Sequence, residues 1–195
     1  MKNKLINSKD ENKTKLVKID KQEIEIIINK YPPDRKSSAV LPLLHLVQKK
    51  AGGWLPVPEI ERVAEILEMS YMRVFEIASF YTMFNLKPVG KHLLQVCKTT
   101  PCWLRGADDI QKCIKDNLGL DNGKTTKDGL FTLLEVECLG ACVNAPILQI
   151  NDDFYEDLDY RTTKDILLKL KNNKKPNKGS KLGRKSSEPI GYKEN

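Results

Sequence analysis

Four of the five cysteines fall into two close pairs. One pair is Cys97-Lys-Thr-Thr-Pro-Cys102, a C-x4-C, and the other is Cys138-Leu-Gly-Ala-Cys142, a C-x3-C. Thirty-five residues separate them. Each pair sits just past a run with strand character, in a loop opened by Pro101 or Gly140. A short loop at a strand end can aim two thiolates at one metal ion, and two adjacent loops can serve two ions. A two-iron, two-sulfide cluster has this requirement, because each tetrahedral iron takes two bridging sulfides and two protein thiolates. Backbone N–H groups in the loops, and the hydroxyls of Thr99 and Thr100, can point at the sulfurs and ease reduction of an anionic cluster. Three other readings use the same residues. Structural zinc also takes four Cys, though commonly through C-x2-C knuckles. A redox disulfide favours C-x-x-C, which is absent here. Four unrelated core cysteines would need no pairing. On spacing alone the two-iron cluster leads and zinc comes second.

The remaining chemistry-bearing residues read as structural. Cys113 has no partner at short spacing and lies on the apolar face of a helical pattern, as a buried structural Cys does. His45 falls in an amphipathic helix and His92 at a strand start, neither with a ligand partner in spacing. Asp108-Asp109 occupy a helix's first turn, where negative charge is favourable, and Asp152-Asp153 occupy a turn. No catalytic residue is assigned. No G-x-G-x-x-G follows a strand, so NAD binding is not expected in this chain.

The elements that must position the cysteines follow from periodicity. Residues 1–20 read as disordered. Helical patterns begin near Lys21, again after Ser37 or Ser38 as cap, at Pro58, and after Ser70 as cap. Residues 21–87 thus form a small helical bundle, with Met72, Phe75, Phe80 and Phe84 expected in its packing. After Pro88-Val89-Gly90 the period changes. His92–Val96 is a strand ending at Cys97, residues 104–118 a helix, and 119–129 a loop. Leu130–Glu137 is a strand ending at Cys138, and Pro146–Ile150 with Phe154–Glu156 form a hairpin. A last helix, capped by Thr162 or Thr163, runs to about Lys171. The fold class is α+β or α/β: a helical bundle, then a unit of thioredoxin-like layout over residues 88–171. Residues 172–195 cannot bury a core and are expected as an extended tail.

Charge and hydropathy exclude several classes. The chain has 33 basic and 26 acidic residues in 195, for +7. That excess sits in residues 1–22 and 169–195, while the body between them is mildly acidic. Basic tails on an acidic body do not make a nucleic-acid groove, and no helix-turn-helix, zinc finger or aromatic-basic strand accompanies them. No apolar run approaches the roughly 20 residues of a membrane helix. The first residues lack an apolar signal core, and Asp10, Glu11 and Asp20 with no Arg do not suit a transit peptide. The expectation is a reducing compartment, where cysteines are thiols or metal ligands: the bacterial cytoplasm, or the mitochondrial matrix side in a eukaryote.

The stretches Val96-Cys97-Lys-Thr-Thr-Pro-Cys102-Trp-Leu-Arg-Gly106 and Glu137-Cys138-Leu-Gly-Ala-Cys142-Val-Asn-Ala-Pro146 closely resemble the thioredoxin-like [2Fe–2S] ferredoxin subunit of respiratory complex I, the NADH–quinone oxidoreductase. Leu44-His-Leu-Val-Gln48, Gly52-Gly-Trp-Leu-Pro56, Ala78-Ser-Phe-Tyr-Thr-Met83 and Gly183-Arg-Lys-Ser-Ser-Glu-Pro189 look like the same family. The resemblance covers roughly residues 22–192. It implies that Cys97 and Cys102 bind one iron, and Cys138 and Cys142 the other. It implies a neighbouring flavoprotein subunit that holds FMN and NADH and exchanges one electron with the cluster. It also places the chain peripherally at the inner membrane, in a complex that couples NADH oxidation to quinone reduction and proton pumping. Relatives in NAD-linked formate dehydrogenases and bidirectional hydrogenases share the cysteine pattern and remain the second reading; a zinc-binding thioredoxin-like adaptor and a free ferredoxin shuttle are more distant. The tail at 172–195 is read as a partner-binding segment that orders on docking.

Overall fold

Asp20 starts the first helix in the computed structural model, which describes residues 16–186. Its carboxylate accepts from the Gln22 N–H at 3.0 Å, and Glu23 accepts from the Asp20 N–H at 3.3 Å. This reciprocal box satisfies amide donors that the helix itself cannot. The chain divides into two units between Val89 and Gly90.

The first unit contains α1 (Lys21–Ile28), a 3-10 helix (Pro33–Ala39), α2 (Val40–Lys50), α3 (Val57–Leu67) and α4 (Tyr71–Phe80). Leu43, Leu44 and Val47 on α2, Ile60, Val63 and Leu67 on α3, and Val74 and Ala78 on α4 recur every three or four residues and close one core. Ser37 and Ser38 lie inside the 3-10 helix and do not cap α2, whose flanking residue is Ala39. Pro58 sits in the first turn of α3, where a missing N–H breaks no bond. The Ser70 hydroxyl caps α4 through the Arg73 N–H. Phe84 is buried as expected, but Met72 and Phe80 are 69% and 76% exposed. They lie on the side of α4 opposite the Val74–Ala78 stripe. Residues 1–15 of the segment expected to be disordered lie outside the described residues. Its end is held: the Val17 N–H donates to Glu59 Oε1 at 2.5 Å, and Arg62 Nη1 donates to the Val17 carbonyl at 2.8 Å.

The second unit is a six-stranded mixed sheet with helices: β1 (His92–Cys97), α5 (Thr100–Leu104), α6 (Ala107–Leu118), β2 (Lys124–Thr125), β3 (Phe131–Val136), β4 (Leu148–Ile150), β5 (Asp153–Glu156), α7 (Tyr160–Lys171) and β6 (Gly179–Ser180). The strand order is β2-β3-β1-β4-β5-β6. β1 and β3 are parallel, and so are β5 and β6; the other neighbours are antiparallel. Ile110, Cys113 and Ile114 of α6 pack with Ile166, Leu167 and Leu170 of α7 against Leu94, Val96, Phe131, Leu133 and Leu148. The helix expected over 104–118 begins only at Ala107: Leu104 ends the short α5, and Gly106 takes φ +98° between the two, a conformation closed to most L-residues. α7 is capped by Asp159 rather than by Thr162 or Thr163. The Asp159 carboxylate accepts from the Thr162 N–H at 2.7 Å, the Thr162 hydroxyl accepts from the Asp159 N–H at 2.9 Å, and Thr163 is buried. Residues 172–186 are not simply extended. Pro176 is buried, and β6 pairs with the edge of β5, whose unused backbone groups it satisfies. No helix among the described residues is long and apolar enough to cross a membrane.

Candidate metal centre

The parallel pairing of β1 and β3 decides where the two cysteine pairs meet. Cys97, the last residue of β1, stands opposite Val136, the last residue of β3. Both strands therefore end at the same sheet edge. The chain turns after Cys97 into α5, which carries Cys102. After β3 it passes Cys138 and a 3-10 turn at Cys142–Asn144, then a cis Ala145–Pro146 bond, and enters β4. β4 lies on the other side of β1 from β3, so this connection must cross the end of β1. That crossing carries Cys138 and Cys142 past Cys97.

The sulfurs are set in a shell of donors. Cys138 Sγ and Cys142 Sγ are 3.4 Å apart, and Cys97 and Cys102 are close enough to shift each other's titration. Thr99 Oγ1 lies 3.2 Å from Cys97 Sγ and also reaches Cys138. The Gly140 N–H points at Cys138 Sγ at 3.4 Å, from a residue at φ +79° that suits glycine. The Leu139 N–H faces Cys97 and the Ile147 N–H faces Cys102. Cys97 and Cys102 are 1% exposed on a bed of Ala107, Ala145 and Ile147, whereas Cys142 is half-buried and Cys138 exposed. Burial pushes the Cys97 thiol up, but hydrogen bonds from Thr99, Cys102 and Leu139 outweigh it and leave the thiol below its ordinary value. Cys102 is pushed up to about 12, first by burial and then by its bond to Cys97. In the outer pair Cys138 is lowered, chiefly by the Gly140 N–H, and Cys142 is raised by Cys138. Each pair thus favours one thiolate and resists a second.

A model of the thioredoxin-like [2Fe-2S] ferredoxin family matches residues 24–171, which include all four paired cysteines. The chain belongs to that family. It is 64% identical over 148 residues to the E subunit of NADH-quinone oxidoreductase from Rickettsia bellii, covering 76% of this chain and 89% of the relative. The protein of the same name from Rickettsia conorii is 62% identical with the same coverage. The mitochondrial NADH dehydrogenase [ubiquinone] flavoprotein 2 of Dictyostelium discoideum is 49% identical over 166 residues, 85% of this chain and 67% of that one. Among solved structures, an NAD+-reducing [NiFe]-hydrogenase matches 69% of this chain and 23% of its own chain, with a TM-score of 0.61 and 17% identity. That likeness is one of fold.

Thioredoxin-like ferredoxins carry a [2Fe–2S] cluster, and the donor set of this one suits it. Among the described residues no three His, Cys, Asp or Glu side chains gather as a site for one metal ion. The sulfurs stand as two pairs, the arrangement that a two-iron cluster requires. The reluctance of each pair to hold two thiolates is the like-charge conflict that bound cations relieve. Cys113 lies apart in the α6–α7 core, fully buried, its thiol pushed up to about 11 by burial and by the Asp116 charge. His45 packs its ring on Phe84, and His92 packs on Phe131. The Leu139, Gly140 and Ile147 amides leave no side-chain signature, so only the structure names them. Asp157, which approaches the second cysteine loop, was not singled out by any motif, and Arg184 fell within the family-like Gly183–Pro189 stretch without a role of its own.

Proposed function

We propose that this ferredoxin is the [2Fe–2S] electron-transfer subunit of an NADH–quinone oxidoreductase, with Cys97 and Cys102 on one iron and Cys138 and Cys142 on the other. The observation that carries the ligand assignment is the convergence of two cysteine pairs at the ends of parallel β1 and β3, inside a shell of N–H and O–H donors. The host assignment rests on 62–64% identity to proteins named as E subunits of NADH-quinone oxidoreductase, against a fold-only likeness to a hydrogenase.

The cluster, when bound, supplies one-electron transfer. The residues around it set its terms. The Thr99 hydroxyl and the Leu139, Gly140 and Ile147 amides favour negative charge on the sulfurs, and so favour the reduced state. The buried Cys97–Cys102 side faces the protein core, while Cys138 opens the other side to the surface. Trp103, Leu104 and Val143, beside the ligands, are 54%, 70% and 59% exposed. Exposed apolar side chains around a redox centre suit the docking of an electron donor. In this reading the donor is the flavoprotein subunit that holds FMN and oxidises NADH. The chain sits in the peripheral arm at the inner membrane, and quinone reduction and proton translocation belong to the whole complex. The chain alone is an electron carrier.

The test is anaerobic purification, assay of iron, sulfide and zinc, and EPR before and after dithionite. The expected result is two iron and two sulfide per chain, with a signal only after reduction. Cys97→Ala and Cys138→Ala should lose that signal, and Cys113→Ala should keep it. Stoichiometric zinc without a signal would overturn the electron-transfer reading.

A further inference from the structure

Val143 and Asn144, the two residues after Cys142, are both tied to Asp157, Asn144 through the Asp157 backbone N–H and Val143 through Arg184, which pairs with the Asp157 carboxylate. Asp157 follows β5 with φ +53°, a left-handed backbone that Asp tolerates better than most residues. Its side chain is fully buried. Its N–H donates to the Asn144 carbonyl at 2.8 Å. Its carboxylate accepts from Ser180 Oγ at 2.5 Å and from Arg184 Nε at 3.0 and 3.1 Å, and Arg184 Nη2 closes the fork. The same Nη2 donates to the Val143 carbonyl at 2.9 Å. Arg105, just beyond the helix that carries Cys102, adds its charge to the field at Asp157.

The C-terminal segment is built to deliver that guanidinium. Pairing of β6 with β5 places Ser180 beside Glu156, and the Lys181 N–H extends the ladder to the Glu156 carbonyl at 3.0 Å. Ser180 Oγ then accepts from the N–H groups of Leu182 and Arg184 at 3.1 and 3.0 Å, which turns the chain back toward Asp157. A planar guanidinium can span a carboxylate and a neighbouring carbonyl at once, whereas an ammonium cannot hold that fork. Removing Arg184 would leave a buried carboxylate short of donors, and such a group draws in water or moves.

We propose that Arg184, oriented by Asp157 and Ser180, is a positioning residue for the Cys142 loop: the C-terminal strand braces the exposed half of the cluster site. The proposal rests on the reading of Cys138 and Cys142 as ligands for its redox consequence, but not for the brace itself. The loop holds the Gly140 N–H against Cys138, so loosening it alters the hydrogen bonds that tune a cluster.

The experiment uses the full chain in apo and cluster-loaded forms, as wild type, Arg184→Ala, Arg184→Lys and Asp157→Asn, with Lys178→Ala as a control. Lys178 lies on the same segment but pairs with Asp153, outside the brace. In the apo chain, Arg184→Ala is expected to speed hydrogen exchange at the Asn144 and Ala145 amides about tenfold, the scale of one charge-assisted hydrogen bond. Arg184→Lys should stay nearer to Arg184→Ala than to wild type, Asp157→Asn should show the same loosening if Arg184→Ala fails to fold, and Lys178→Ala should match wild type. In the loaded chain, Arg184→Ala should shift the midpoint potential and the EPR g values, and shorten cluster lifetime against a chelator. Faster exchange confined to residues 179–184, with the Asn144 and Ala145 amides, potential and g values unchanged, would overturn the proposal and leave Arg184 as an anchor of the tail. A wild-type chain without iron, in which Arg184→Ala still loosens Asn144 and Ala145, would sustain the brace while removing the ligand reading.

Discussion

Cys97 and Cys113 are both buried, and their surroundings give the two sulfurs opposite chemistry. Cys97 meets the Thr99 hydroxyl and two backbone N–H groups, which favour the thiolate. Cys113 meets the apolar faces of α6 and α7 and the Asp116 charge, which hold the proton on. Spacing in the sequence separated the two, because only Cys97 has a near partner. The donors that make the difference are mostly main-chain groups, and those became visible only in the folded loops. His92 carries a pH prediction. Burial, and then the neighbouring Lys91 charge, lowers its native pKa. The unfolded chain therefore binds that proton at higher pH than the folded one. The stability it contributes is complete above the ordinary His value of about 6.5 and is lost as pH falls from there through the lowered native value. His92→Gln is expected to flatten the loss of stability as pH falls below about 6.5. Urea midpoints at several pH values check this, and equal slopes in the two proteins would refute it.

The elements show where local pattern suffices and where a neighbour takes over. Apolar residues every three or four positions marked α2, α3, α4 and α6, and Ser70 was readable as a cap. Asp159 was missed because Thr162 belongs to the same reciprocal box and reads equally well as a cap. Asp159→Ala is expected to cost about 1–2 kcal/mol, and Asp159→Asn close to nothing. Thermal unfolding checks it, with a midpoint lower by about 2–8 °C for the alanine variant. Gly106 and Gly90 are punctuation of different kinds. Gly106 breaks a helix by its left-handed backbone. At Gly90 an added Cβ would stand 2.8 Å from the Phe131 backbone, so only the absence of a side chain permits the approach. β6 has no periodicity at all, and it is a strand because β5 has an edge to offer.

The second unit holds the four paired cysteines, the amide donors beside them and the Asp157–Arg184 contacts within one sheet and its loops. A fragment of residues 90–186 is therefore expected to take up iron and sulfide in the same ratio as the full chain and to give the same EPR signal. The full chain cut before Pro176 loses β6 and Arg184, and should lose its cluster to a chelator several times faster than the fragment does. Equal lifetimes would argue that the tail serves only in docking. Residues 187–195, which carry the end of the family-like Gly183–Pro189 stretch, lie outside the described residues. What could be read from the chain alone was the donor inventory: which thiols pair, which cysteine stands apart, where helices and strands fall, and that the basic charge belongs to the ends. Those are local properties, set by residue type and by separations of a few positions. The folded chain alone decided that β3 pairs parallel to β1, that the second loop must therefore cross the end of the first strand, and that one pair is buried while the other is open. It also turned a low-complexity tail into a strand with a guanidinium at the site. Contacts between residues 27 positions apart, such as Asp157 with Arg184, leave no periodic trace, because their geometry is set by strand pairing and not by spacing along the chain.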